Sequence, residues 1–186
     1  MNKWKLTDEE YEFIKGEVIH VFVYYKIRCI PVSGFEIAIK MGIKLIPYST
    51  LTKKQHSAAL RESPDGFYVE IDGEEYIYYN DIGKSYERQN MTILHEIGHC
   101  VLDHKGHSQH EEDEAKFFAK YAIAPPVLVE KIGAESPDDI YDIFDISYEA
   151  ACYAYDYYLS WKRRHNRIGR YTEYEVKLLA LYQRSA

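Results

Sequence analysis

The stretch Met91-Thr92-Ile93-Leu94-His95-Glu96-Ile97-Gly98-His99-Cys100-Val101-Leu102 decides how the rest of the chain is read. Met91, Leu94, Gly98, Val101 and Leu102 recur at helical spacing, which predicts an amphipathic helix. His95 and His99 fall on its inward side one turn apart, separated by about 40° in azimuth and about 6 Å in height. Two imidazoles so placed reach one tetrahedral Zn²⁺ at about 2.0 Å. Glu96 projects from the same turn, where it can take a proton from water on the ion. In a chain of this composition random order yields the H-E-x-x-H pattern roughly 0.03 times, so an accidental pair explains it poorly. Gly98 in mid-helix costs about 1 kcal/mol against Ala, and the close approach of another element or of substrate accounts for it.

A catalytic zinc ion takes three protein ligands and keeps one position for water, so a third ligand is required. Asp103, His104, His107, His110, Glu111, Glu112 and Glu114 are the candidates nearby. Asp103 lies about 12 Å along the axis from His95, too far to share an ion. His104 points about 180° away from His95 if the helix continues, which disfavours it unless the helix ends early. Glu111 is engaged as the capping partner of Ser108, and Glu114 lies off the apolar stripe of the next helix. Glu112 stands in line with Ala115, Ala119 and Ala122, where an unpaired carboxylate costs several kcal/mol and a metal ligand is compensated. Glu112 is the preferred third ligand, with a salt bridge to a buried base as the competing account.

Working outward, Thr7 with Glu10 forms a capping box, and Tyr11, Ile14, Val18, Val21, Phe22 and Tyr25 predict a first helix. Ser33 with Glu36 starts a short helix that stops at Gly42, and Ile43 to Ile46 reads as a strand ended by Pro47. Ser63-Pro64-Asp65-Gly66 is a turn. Phe67 to Ile71 and Glu75 to Tyr79 flank Asp72-Gly73 as a β-hairpin, whose second strand either offers an edge for pairing with an extended substrate or pairs within the core, the two readings standing equal. Ser108 with Glu111 opens a helix that ends at Pro125-Pro126. Further helices are predicted from Pro137 to Phe144, Ser147 to about Trp161, and Thr172 to Tyr182.

Composition bounds the function. The 186 residues carry a net charge of −7 and 46% hydrophobic residues, which describes a globular chain rather than a disordered one. Val18 to Tyr25, the longest apolar stretch, is far below the roughly 18 residues that span a bilayer, and the acidic N-terminus argues against a signal peptide. Three cysteines without a C-x-x-C pair fit buried free thiols in a reducing cytoplasm. The helix-turn-helix cadence of residues 138–161 raises DNA binding, but residues 138–160 hold six acids and no Lys or Arg. The basic run Lys162, Arg163, Arg164, His165, Arg167 and Arg170 complements the end of a helix, so no direct nucleic-acid binding is expected.

The ordered set of motifs resembles the ImmA/IrrE metallopeptidase family, common in bacterial mobile elements and phages. The resemblance covers about residues 30 to 160 and rests on Phe35-Glu36-Ile37-Ala38, Gly42-Ile43 and Asp65-Gly66-Phe67, then Met91 to His99, Leu102-Asp103-His104, and Glu112-x-x-Ala115-x-x-Phe118-Ala119 with Pro125. Lys116 departs from an Asn common in the family and Ala124 from a larger apolar residue, neither expected to touch a ligand. The resemblance implies a cytoplasmic zinc endopeptidase with His95, His99 and Glu112 as ligands and Glu96 as catalytic acid/base. It implies a protein substrate, a helix-turn-helix repressor in characterised relatives, whose cleavage derepresses a mobile element or stress response. The expected fold is α+β, mainly helical, with a zincin-like core whose small sheet packs on the metal helix. Residues 1–125 would form that domain and residues 126–186 a C-terminal helical extension packed on it. A zinc-binding regulatory module without proteolysis is the rival reading.

Overall fold

The computed structural model describes residues 6–106 and 108–183. It is mainly helical with a small three-stranded sheet, an α+β zincin-like architecture as expected. Contacts divide the chain into two compact units, one built on Ser33–Ala119 and the other on Thr7–Val32 with the chain from Lys120 onward. Among the described residues no helix is long and apolar enough to cross a membrane.

The first unit holds α2 (Gly34–Met41), β1 (Lys44–Pro47), α3 (Lys53–Glu62), β2 (Gly66–Ile71), β3 (Glu74–Tyr79) and α4 (Tyr86–Val101), with most of α5 (Gln109–Ile123). The Ser33 hydroxyl caps α2, and Gly42 ends it at φ 86°, a left-handed conformation that costs glycine little. β2 and β3 form the expected hairpin, pairing from Gly66↔Tyr79 to Ile71↔Glu74 around Asp72-Gly73. β1 adds to the other side of β3 in parallel, Leu45 opposite Ile77, so the strand order is β1-β3-β2.

β3 is therefore the central strand, which decides between the two readings of it in favour of core pairing and against an edge open to substrate. Both its sides are taken by ladder partners, and among the described residues the strand with a free side that packs on α4 is β2. That packing is close. A Cβ on Gly66 would lie 2.7 Å from Thr92 Cγ2 and 2.8 Å from the Tyr78 carbonyl, so only glycine lets the strand start there. Ile77, Ile93, Leu94 and Ile97 are fully buried, and they fix the sheet on one face of α4.

Two helices went unpredicted. α3 carries a complete capping box, Thr52 with Gln55, but buries only Ala59, so its apolar period is nearly silent. α6 (Pro126–Ile132) begins where the sequence reading ended a helix, because Pro126 occupies a first-turn position that needs no amide donor.

In the second unit α1 (Asp8–Tyr24) packs on α9 (Glu173–Gln183), and α8 (Tyr148–Ile168) on α6 and α7 (Pro137–Phe144). α8 runs seven residues past Trp161 and absorbs the basic run up to Arg167. Lys162 Nζ there lies 3.0 Å from Glu130 Oε2 and donates to the Tyr158 hydroxyl at 2.7 Å. The cysteines are free, but not buried as expected: Cys29 is exposed, and Cys100 and Cys152 are half-buried.

Candidate metal centre

α4 starts at Ser85, whose hydroxyl accepts the Arg88 amide. Its buried face of Asn90, Ile93, Leu94, Ile97 and Gly98 fixes how the helix rolls, and that roll carries His95 and His99 to the neighbouring α5. The two Nε2 atoms stand 3.1 Å apart. On the facing helix, Ser108 and Glu111 make the expected box: the Glu111 carboxylate accepts from the Ser108 amide at 2.9 Å and hydroxyl at 2.7 Å, while the Ser108 hydroxyl accepts the Glu111 amide at 3.2 Å. This start presents Glu112 to the histidines.

Glu112 Oε2 lies 3.5 Å from His95 Nε2, and Glu112 Oε1 lies 3.4 Å from His99 Nε2. Donors bonded to one tetrahedral ion at about 2.0–2.1 Å are separated by about 3.3 Å along the tetrahedron's edges. The imidazoles are 3.1 Å apart and each lies 3.4–3.5 Å from one of the two Glu112 oxygens, and one ligand atom from each of the three residues falls within 4.8 Å of the others, so the residues present fit a metal ion. Their chemistry suits one too: two imidazoles and a carboxylate are borderline-to-hard donors of the kind zinc takes. Burial holds the His95 imidazole below its ordinary pKa against the pull of Glu112, a shift that favours the neutral ring a metal needs.

The helices meet closely at Gly98. A Cβ there would lie 3.1 Å from Phe118 Cβ and 3.2 Å from Ala115 Cα, so α5 packs directly on the α4 backbone. Of the two explanations offered for this glycine, approach of another element is the one observed.

Glu96 is buried, and its Oε2 accepts the Tyr68 amide of β2 at 2.9 Å. Burial pushes its carboxyl up to about 8, an effect that the Tyr68 hydrogen bond opposes and the nearby Glu112 reinforces. Cys100, one residue beyond His99, is pushed up to about 12 mainly by burial and donates to Glu75 Oε1 at 3.1 Å, so it stays a thiol.

The other candidates lie elsewhere. Asp103 is exposed and pairs with Lys105 at 2.7 Å. Glu111 is the cap partner, and His107 lies outside the described residues. His104 does turn back, because α4 ends at Val101 and Asp103 takes φ 55°. Its Nδ1 sits 2.9 Å from His99 Nδ1 and its Nε2 3.0 Å from Glu114 Oε2. His110 Nε2 is 3.8 Å from Glu114 Oε1. Lys116 was not expected to touch a ligand, yet its Nζ lies 3.8 Å from Glu112 Oε2, one helical turn away. The sequence reading missed both contacts. Lys116 was legible as an i, i+4 partner of Glu112; His104 had no signal beyond the helix ending early.

A mainly helical fold with a small sheet, two helix-borne histidines and a facing carboxylate defines a zincin-like protein with a candidate metal centre. The model of the Peptidase M78 family, the IrrE N-terminal-like domain, matches residues 40–155, from the end of α2 into α8. The chain belongs to that family, which is one of metallopeptidases and implies a metal ion and a protein substrate. No curated protein matches the chain.

Proposed function

We propose that this protein is a zinc-dependent endopeptidase that hydrolyses a peptide bond in a cytoplasmic protein substrate, a helix-turn-helix repressor. The observation that carries the proposal is the convergence of His95, His99 and Glu112, one ligand atom from each within 4.8 Å of the others, with the buried Glu96 on the helix of the two histidines. His95, His99 and Glu112 would hold the ion. When bound, zinc supplies a Lewis acid that polarises a carbonyl and makes water acidic near neutrality.

The chain's own groups do the rest. The Tyr68 amide fixes Glu96 Oε2 and leaves Oε1 to accept the proton of the attacking water and to pass it to the departing amine. A carboxyl raised towards neutrality by burial suits both halves of that exchange. Among the described residues β2 has one side without a ladder partner, and an extended substrate backbone pairing there would bring a carbonyl beside Glu96.

Co-expression with the repressor encoded nearby, followed by mass spectrometry of fragments with and without chelator, tests this reading. Defined fragments that vanish with chelator are expected. Glu96→Gln should retain zinc and lose cleavage by at least about 100-fold. Unchanged biological activity of that variant would favour the non-proteolytic zinc module instead.

A further inference from the structure

We infer that His104 and Glu114 are positioning residues that fix the tautomer and ring orientation of His99; this rests on the metal-centre reading above. The geometry is a chain of three groups in the first unit: His99 Nδ1 to His104 Nδ1 at 2.9 Å, then His104 Nε2 to Glu114 Oε2 at 3.0 Å. The His104 side chain is 6% exposed and the Glu114 side chain 17%, so water competes weakly for these bonds.

Donor and acceptor arithmetic gives the chain one direction. A histidine that offers Nε2 to a metal carries its ring proton on Nδ1. His99 Nδ1–H must then donate to His104 Nδ1, which is therefore a lone pair. That leaves the proton of His104 on Nε2, where it donates to Glu114. An ionised carboxylate only accepts, so it ends the chain with every group satisfied. Reversing the chain would put a proton on His104 Nδ1 and leave His99 protonated at Nε2, the nitrogen that faces His95 and Glu112. A ligating histidine ordinarily leans on a carbonyl, carboxylate or water. Here the carboxylate acts through a second imidazole.

The backbone supports the same arrangement. The His104 amide donates to the His99 carbonyl at 3.0 Å, so the turn after α4 fastens the two residues at main chain as well as side chain. Asp103, with φ 55°, makes the reversal without glycine.

Three variants at one position separate a polar role from packing. His104→Phe keeps a ring and offers no acceptor, His104→Ala removes both, and His104→Asn places Oδ1 where Nδ1 was. Zinc affinity is read by competition with a chromophoric chelator, and melting of the zinc-free protein monitors the fold. The inference expects His104→Phe and His104→Ala to bind zinc about 10–100-fold more weakly, and His104→Asn to stay within a few-fold of the parent. His104→Phe binding zinc as the parent does would overturn it. A second measurement needs no variant. Nitrogen NMR of the zinc-loaded parent, labelled in histidine, should show His99 protonated at Nδ1 and His104 at Nε2; a proton on His104 Nδ1 overturns the inference while the metal centre stands. A parent protein that binds no zinc overturns both.

Discussion

Replacing Gly98 by Ala tests how α4 and α5 are held together, and the structure sets the size of the effect. The new Cβ would meet Phe118 Cβ at 3.1 Å, Ala115 Cα at 3.2 Å and Phe118 Cγ at 3.2 Å. Relaxed carbon contacts lie near 3.5–4.0 Å, so α5 must retreat by about 0.3–0.5 Å. Ala115 Cα is backbone and cannot rotate away. Overpacking of this kind costs about 1–3 kcal/mol, while Ala regains about 1 kcal/mol of helix propensity, leaving a net loss of about 0–2 kcal/mol without metal. The effect on metal is sharper. Glu112 precedes Ala115 by less than one turn and moves with it, widening separations of 3.4 and 3.5 Å to the two histidines. Metal sites hold their distances to about 0.2 Å, so zinc should bind at least tenfold more weakly, or about 1.4 kcal/mol. Urea denaturation in chelator and zinc competition give the two numbers. A Gly98→Ala protein that gains the full propensity increment and binds zinc unchanged would refute the reasoning.

Glu112→Gln should abolish stoichiometric zinc binding while the zinc-free fold persists, checked by metal analysis after dialysis; retained zinc would assign the third ligand elsewhere. Asn90→Ala should cost about 1–3 kcal/mol in urea denaturation, because Asn90 Oδ1 accepts the Gly34 amide at 2.6 Å in a buried place and its loss strands that donor. A cost below about 0.5 kcal/mol would mean the Gly34 amide finds another acceptor. Arg88→Gln removes the guanidinium that, together with Lys84, holds the Asp65 carboxyl below the usual carboxylate range. A lowered folded value means the stabilisation is complete above the unfolded value of about 3.9 and is lost as pH falls below it. The variant should therefore be less stable by about 0.5 kcal/mol at pH 7, a small figure because Arg88 is largely exposed, and should match the parent in strong acid. A difference that grows on acidification would contradict the assignment.

What the sequence made legible follows the range of the interactions. Capping boxes at Thr7 and Ser108 close within three residues, and the His95 to His99 spacing within one turn, so each could be read from the residues alone. Sheet order could not. β1 joins β3 across about 30 residues of intervening chain, and nothing in Lys44–Pro47 says which side it takes. The hairpin alone made Glu75 to Tyr79 look open on one side. α3 illustrates the opposite failure, a cap that was present but had no apolar stripe behind it. His104 was set aside on the assumption of a continuing helix, and the assumption failed at Val101, where no glycine or proline marks the end.

The acids of α5 show why neighbours of the same charge do different work. At about 100° per residue, Ala119, Ala115 and Phe118 occupy one arc of the helix, and Ala115 and Phe118 are what meets Gly98. Glu112 falls on one rim of that arc and Glu114 on the other, about 160° apart. The same contact therefore presents Glu112 to the Nε2 atoms of His95 and His99, and Glu114 to His104, which reaches His99 from its Nδ1 side. Glu111 lies within the arc but at the helix start, where the Ser108 amide and hydroxyl take its carboxylate. Asp113 faces away and pairs with the Gln109 amide at 2.9 Å. His99 is thus gripped at both ring nitrogens by carboxylates from one helix, one direct and one through an imidazole, and a single close crossing at Gly98 sets both distances.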